Sequence, residues 1–387
     1  MQKNAYFINP FSLYAISWIL VIIVYSFEWS YLYPNLKLSS LFFLIVTICI
    51  SIYYSKKEYK KFCLKPLNNN KYLPVIKKYC ILLYILLIIE FIIYGIPFLA
   101  YNAYIGADDS LYKNWGIPVI KVIVINGFSV LFLLSVSVYF LSNQYNKKKV
   151  RLYLLLSILP PILCMQRGVA LNMIVGAFCI YMMQTKKLKR SLLITFSLGI
   201  FILYGFGVMG QKRMNGKENL ILKIGEPTNE FDKSNIPQEF FWSYLYISSP
   251  LANLQFEINT KKSINTPDTS FLSFIGLNII PETLSKHFFK TPDLSQYRVT
   301  PALAVGSTYY LPFYQLGWIG MWLMFIYIIF FIKLCRHLVN QNSPFYPSLI
   351  AVLCEVSFFG IFDNMTAYAA MYPQLILIYL GAKYLFR

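Results

Sequence analysis

The sequence predicts an all-α polytopic membrane protein with about ten transmembrane helices, one large periplasmic loop and both termini in the cytoplasm. Three observations lead to this fold class. First, 57% of the 387 residues are hydrophobic and only 13% are charged, whereas soluble domains carry about 25% charged residues. Second, the apolar residues form runs long enough to match the core of a bilayer. Third, the basic residues are concentrated between alternate runs.

Ten uninterrupted apolar runs predict the membrane spans. In a lipid core the chain has to bond its own backbone groups, so a run of this kind forms a helix. The strands of an outer-membrane barrel would instead alternate apolar and polar residues over about ten positions. The predicted spans are residues 7–27, 38–54, 79–101, 117–141, 152–166, 168–184, 191–210, 311–334, 343–362 and 365–386.

The distribution of charge orients these helices. The net charge is +19, and most of the 35 Lys and Arg residues fall on the side of the predicted N-terminus, where Glu58 is the single acid. An excess of Lys and Arg marks the cytoplasmic side. We therefore expect a multi-pass inner-membrane protein, with the lipid bilayer and not nucleic acid as a partner. The basic segments on that side are Lys3, 56–78, 147–151, 186–190, 333–336 and the C-terminal tail.

The spans divide the chain into three parts. Residues 1–210 form a seven-helix N-terminal bundle, residues 211–310 a large periplasmic loop with interfacial helices, and residues 311–387 a three-helix C-terminal part. Long loops without a spanning role are usually functional. Within the loop, residues 238–258 are apolar and aromatic. This segment is either an amphipathic helix in the outer interface or the small core of a loop subdomain.

Cysteine spacing and nucleotide motifs indicate no cofactor. All seven cysteines lie in predicted spans or on the cytoplasmic side, and none shows the CxxC or Cys/His spacing of a metal site. The sequence contains neither GxxxxGK[ST] nor GxGxxG. We expect no metal, no nucleotide and no disulfide in the large loop.

Arg167 lies at a short turn between two predicted spans. Only a brief segment separates the cytoplasmic anchors Arg151 and Lys186, so each half reaches about 25 Å, less than the hydrocarbon core of about 30 Å. Gly168 is expected to allow the tight turn. An arginine held near the outer headgroups is costly unless it meets an anion such as a phosphate. The alternative is an arginine that snorkels to water and only marks the turn.

Three further cations flank the large loop. Lys212 and Arg213 directly follow the seventh predicted span, and Arg298 precedes the eighth. Together with Arg167, they are suited to a pyrophosphate, because guanidinium forms bidentate bonds to phosphate oxygens. The alternative is ordinary charge that flanks the ends of helices.

Several ionisable residues are candidates for proton transfer. His287 and Glu282 lie together in the large loop, where either group can remove a proton from an acceptor hydroxyl. Glu90 and Lys121 fall inside neighbouring spans and indicate either a substrate path or a structural pair. The doublet Asp108-Asp109 lacks a third metal ligand at a recognisable spacing, which favours a solvated loop.

The segment from Gly306 to Gly320, GSTYYLPFYQLGWIG, resembles a segment of the Wzy-type O-antigen and repeat-unit polymerases and the related O-antigen ligases. In those families a small or polar residue precedes a Tyr and a Leu-Gly-x-x-Gly sequence after the large periplasmic loop. The QRG turn and the PETLSKHF segment of this chain are similar too. The ligases carry a histidine where this chain has Gly306-Ser307-Thr308, which favours the polymerases and leaves the general base unassigned.

The resemblance implies a metal-independent glycosyltransferase of a bacterial inner (cytoplasmic) membrane. Its donor would be an oligosaccharide repeat unit linked to undecaprenyl pyrophosphate, transferred on the periplasmic face to the terminal sugar of another lipid-linked unit. A chain-length regulator is the protein partner that this pathway suggests. Fixed cations would stabilise the departing pyrophosphate, and aromatic side chains would contact the sugar or the prenyl chain. The residues assigned to these roles are Arg167 and Arg298 on the pyrophosphate, Arg213 and Lys212 assisting, and Trp242, Tyr244 and Tyr309 as aromatic surfaces.

Three alternatives remain open from the sequence. A lipid-linked oligosaccharide flippase or other transporter would use the intramembrane charges Glu90 and Lys121, although a large external loop argues against it. An O-antigen ligase would share the overall layout. A glycosyltransferase that uses a polyprenyl-phosphate sugar would place a catalytic acid at Glu28 or Asp108 in an early external loop.

Overall fold

The computed structural model describes residues 4–67, 72–97, 115–141, 147–164, 166–185, 188–213, 220–261 and 267–385. Within these residues the chain is helical and forms no strand; one isolated bridge joins Ser30 to Pro227. The α-helices are α1 (Pro10–Tyr25), α2 (Leu38–Glu58), α3 (Tyr72–Tyr94), α4 (Pro118–Leu141), α5 (Lys147–Leu163), α6 (Arg167–Gln184), α7 (Leu188–Arg213), α8 (Leu220–Gly225), α9 (Asn229–Asp232), α10 (Glu239–Thr260), α11 (Phe271–Asn278), α12 (Glu282–Ser285), α13 (Tyr310–Cys335), α14 (Tyr346–Phe359) and α15 (Met371–Tyr384).

The all-helical prediction is confirmed for the described residues, and each of the ten predicted apolar runs contains a helix. In the part of the chain that the structure describes, three helical stretches have the length and apolar composition to cross a membrane: Leu38–Phe62, Val119–Leu141 and Tyr310–Leu338. Shorter apolar helices include α1 and α14; α14 has 14 residues, or about 21 Å. The number of crossings and their orientation stay predictions.

Helix α4 lies at the centre of the bundle. It is contacted by α3, α5, α6, α14 and α15. In its most apolar stretch 72% of the residues are buried, compared with 39% in α2 and 44% in α13. Two of its interior hydroxyls are satisfied locally: Ser135 donates to the carbonyl of Leu131 at 2.8 Å, and Ser137 to that of Leu133 at 2.7 Å. Such back-bonding lets a helix with several serines be buried without unpaired groups.

A capping box fixes the start of α1. The Asn9 side chain accepts from the backbone N–H groups of Phe11 and Ser12, while the Ser12 hydroxyl accepts from the N–H of Asn9. Pro10, which has no N–H to satisfy, occupies the first helical position. The Asn9 amide also donates to the Ser55 hydroxyl at 2.9 Å, so the cap joins α1 to the end of α2.

One buried acid joins the ends of α2 and α13. Glu58 is 6% exposed and accepts from Arg336 at 2.5 Å, with Lys333 at 3.7 Å and Lys61 at 3.8 Å. Glu58 is the acid that the sequence singles out among the predicted cytoplasmic bases. Its ion pairs join the basic segments that contain Lys61, Lys333 and Arg336.

Helix α13 is broken near its start. Gly317 has φ 61° and ψ −140°, a conformation that is essentially restricted to glycine. The short piece before Gly317 folds back, so that a Cβ on Gly320 would overlap the carbonyl oxygen of Pro312. The predicted continuous span 311–334 is therefore two helical pieces. This geometry gives a physical reason for the Leu-Gly-x-x-Gly sequence that carries the family resemblance.

Candidate functional site

Helix α10 crosses one end of the bundle and positions the site. Ser243 donates to the carbonyl of Leu203 on α7 at 2.7 Å. Further along α10, Gln255 accepts from the backbone N–H of Lys37, just before α2, at 3.2 Å. Residues 248–255 are all buried. The helix thus lies over the ends of α7 and α2 that the sequence places on the outer side.

Asn253 fixes the loop that faces the last turns of α10. Its amide donates to the carbonyls of Leu303 and Val305 at 2.7 and 2.8 Å. Its amide oxygen accepts from the backbone N–H of Val299 at 2.9 Å. Residues 298–306, called the Arg298 loop below, therefore lie along this face of α10. Because residues four apart share a face, Glu257 points to the same side as Asn253.

Glu257 is a fully buried carboxylate without a hydrogen bond. Its residue exposure is 0%, and neither side-chain oxygen has a partner. Burial raises the pKa of Glu257 well above its ordinary value, and the charge of Lys261 works against that rise. Buried charges are normally paired and hydrogen-bonded, so this group is an exception that needs an explanation.

Lys261 caps the broken helix. Its ammonium donates to the carbonyl of Tyr314 and, at 3.3 Å, to that of Phe313. These carbonyls end the short piece of α13 before Gly317, and a cation is favourable at a helix C-terminus. Burial lowers the pKa of Lys261, while the Glu257 carboxylate raises it.

Arg298 completes the cluster. It follows a short 3₁₀ helix, Ser295–Tyr297, is half-buried, and its Nε has no hydrogen-bond partner. Tyr310 interacts electrostatically with both Arg298 and Glu257, and its hydroxyl donates to the carbonyl of Leu294 at 3.2 Å. The site thus combines a guanidinium whose Nε–H has no acceptor with a carboxylate whose two oxygens have no donor.

The predicted cations are carried by different helices. Arg167 is the first residue of α6, which packs against α4 and α14. Lys212 and Arg213 end α7; Gly207 of the same helix abuts the backbone of Glu239. Glu239 begins α10, and Glu257 lies about 27 Å further along it. The side chains of Arg167, Lys212 and Arg213 lie outside the described residues.

The turn before Arg167 differs from the prediction in its details. Helix α5 ends at Leu163 and α6 begins at Arg167, and the N–H of Gln166 donates to the carbonyl of Pro161 at 2.8 Å. Gly168 is the second residue of α6 and does not have a positive φ. The expectation that Gly168 makes the turn was therefore wrong, because the chain turns before the helix begins.

The charges predicted to lie inside the membrane are close to that turn. Glu90 is fully buried, and one oxygen accepts from the N–H of Ile117 at 3.2 Å while the other is unpaired. Lys121 and Cys164 interact electrostatically with it. Glu90 and Lys121 are thus neighbours, as a structural pair requires. Asp108 and Asp109 lie outside the described residues.

The predicted aromatic surfaces are covered in this conformation. Tyr244 is 2% exposed and packs against Trp29 and Tyr33, with ring centroids 5.3 and 5.5 Å away. Trp242 is half-buried beside the same cluster. Tyr309 is fully buried, and its hydroxyl is bonded to that of Tyr14. Contact with a sugar or prenyl chain stays a prediction for all three residues and requires these rings to be uncovered.

His287 and Glu282 are exposed on the surface. Glu282 begins α12, and its backbone N–H donates to the carbonyl of Ala367 at 2.9 Å. This bond ties the segment to the connection between α14 and α15. The proposed proton-transfer role of either side chain stays a prediction.

Sequence reasoning did not single out Glu257, Lys261 or Glu355. Glu355 is fully buried in α14, and neither of its carboxylate oxygens has a partner. The available signal was an acid within an apolar segment, which marks a functional candidate in a membrane protein. That signal was applied to Glu90 and overlooked at Glu257 and Glu355.

Comparisons with family models, with curated proteins and with solved structures found no match to this chain.

Proposed function

We propose that this protein is a multi-pass glycosyltransferase of a bacterial inner membrane that polymerises oligosaccharide repeat units. The donor is a repeat unit on undecaprenyl pyrophosphate, and the acceptor is the terminal sugar of another lipid-linked unit. The transfer takes place on the periplasmic face, where α10 and the Arg298 loop lie in the proposed topology. Because the donor is already activated, the reaction needs neither a nucleotide nor a metal.

The observation that carries the proposal is the state of Arg298. Its guanidinium interacts with the side chain of Tyr310 at the start of α13, but its Nε lacks a hydrogen-bond partner although the residue is half-buried. An unpaired guanidinium donor is suited to a phosphate oxygen, to which it forms short charge-assisted bonds. A cation fixed in this way stabilises the developing charge on the leaving pyrophosphate without reorganisation during the reaction.

The surrounding architecture supports the same chemistry. Broken helices are a recurrent way to build a polar site at membrane depth, because the free backbone groups are satisfied by side chains or ligand. The break at Gly317 lies within one such site, next to Lys261 and the Arg298 loop. The N-terminus of α6, where Arg167 is the first residue, is a second position that favours an anion.

The test is the surface polysaccharide of a deletion strain. Loss of the gene should leave lipopolysaccharide that carries a single repeat unit, because ligation continues without polymerisation. Expression of the wild-type chain should restore the ladder of long chains. Complete loss of repeat units in the deletion strain would instead identify a flippase or a ligase and contradict the proposal.

A further inference from the structure

Of the groups in the site, Glu257 is the one whose burial is hardest to explain by a contribution to the stability of the fold. Its carboxylate is fully buried and unbonded, which costs free energy relative to an apolar residue of the same size. Lys261 lies one turn further along, but its ammonium is bonded to the carbonyls of Phe313 and Tyr314. A costly and perturbed acid next to cations is typical of a functional site.

From this geometry we infer that Glu257 is the general base of the transfer and takes the proton from the acceptor hydroxyl. This inference rests on the proposed polymerase function and supplies the base that the family resemblance leaves unassigned. The acceptor oxygen forms the new bond to the anomeric carbon of the donor glycan as its proton passes to Glu257. The bond from that carbon to the pyrophosphate breaks, and the pyrophosphate oxygen keeps the electron pair.

The neighbours of Glu257 suit this role. A base works best when its pKa lies near the operating pH, and burial moves the pKa of this carboxylate upward from its ordinary value. The charged and titratable groups that interact with it are Lys261 at the end of α10 and Tyr310 on α13. Arg298 also interacts with Tyr310, so one side chain lies between the cation for the leaving group and the base.

The Arg298 loop lies on the face of α10 that carries Glu257. Asn253 binds this loop at three backbone positions, one turn before Glu257 on the same helix face. The inferred mechanism requires this loop to move away from α10 so that the acceptor hydroxyl can reach the buried carboxylate.

The test compares Glu257→Gln with Glu239→Gln, the same change at the other end of α10. Both variants are purified and reconstituted with lipid-linked repeat units extracted from the deletion strain. Glu257→Gln should slow polymerisation by about 100-fold or more, keep the wild-type melting temperature, and bind undecaprenyl pyrophosphate as the wild type does. Glu239→Gln should keep the wild-type rate. A Glu257→Gln enzyme with the wild-type rate, or one that has lost undecaprenyl pyrophosphate binding, overturns the inference.

A second readout needs no variant. The wild-type rate should fall on the acidic side as Glu257 becomes protonated and can no longer accept a proton. A rate that stays constant there overturns the inference even if Glu257→Gln does not fold. If the wild type polymerises repeat units and either result goes against Glu257, this inference alone fails; if the wild type does not polymerise them, the proposed function fails.

Discussion

The ammonium of Lys261 donates to the main-chain carbonyl of Tyr314, just before the break that Gly317 makes in α13. A residue at the end of α10 thereby holds the C-terminal end of a short helical piece that would otherwise have free carbonyls. The same lysine is the cation nearest in sequence to the buried Glu257. The helix break and the candidate site therefore depend on one side chain.

Replacing Lys261 should destabilise the protein. The Lys261→Met variant loses two hydrogen bonds from a charged donor, and such bonds contribute about 1.5–3 kcal/mol each at most. The melting temperature in detergent should fall, and the exposed Lys286→Met variant from the same loop should melt like the wild type. Equal melting temperatures for Lys261→Met and Lys286→Met would show that the cap contributes nothing.

The two glycines of the break should not tolerate alanine. Gly317→Ala forces a Cβ into a glycine conformation at a cost of about 1–3 kcal/mol, and Gly320→Ala collides with the Pro312 carbonyl. Both variants should yield less monodisperse protein on size-exclusion chromatography. Gly199→Ala is the control, because nothing lies within 4 Å of its added Cβ. If all three variants behave alike, the break does not have the described geometry.

The buried acid at the opposite end of α13 should also matter for stability. Glu58→Gln leaves Arg336 buried without its counter-ion, and breaking such a pair costs about 3–5 kcal/mol. Thermal unfolding should move to a clearly lower temperature. The double variant Glu58→Gln/Arg336→Met should recover part of the loss, since it removes the unpaired charge. No recovery would mean that the pair is not the source of the effect.

Much of the fold follows from the sequence, whereas the site follows only in part. Apolar runs are sufficient to place helices such as α2 and α4, because in lipid the backbone N–H and C=O groups of a run have to bond to each other. The break at Gly317 is not visible in an apolar pattern, since a glycine within a span is common and its φ depends on packing. Burial of Glu257 depends on Asn253 and a loop more than forty residues away, a tertiary relationship that no local pattern reports.

Arg298 should be needed for polymerisation and not for insertion. Arg298→Ala removes a fixed donor of a kind whose loss costs on the order of 100-fold in rate. Arg298→Lys should recover part of the rate, because lysine restores the charge but not the planar guanidinium that forms bidentate bonds to phosphate. The chain-length ladder and the membrane level of each variant are the measurements, with the exposed Lys290→Ala as control. Full ladders from Arg298→Ala would remove this residue from the site.

The most direct measurement uses purified protein in liposomes that contain lipid-linked repeat units from the deletion strain. Without nucleotide and with a metal chelator present, the wild-type protein should form long glycan chains and release undecaprenyl pyrophosphate. Chains that appear only when magnesium is added would contradict the metal-independent mechanism. Repeat units that remain single in every condition would contradict the polymerase function itself.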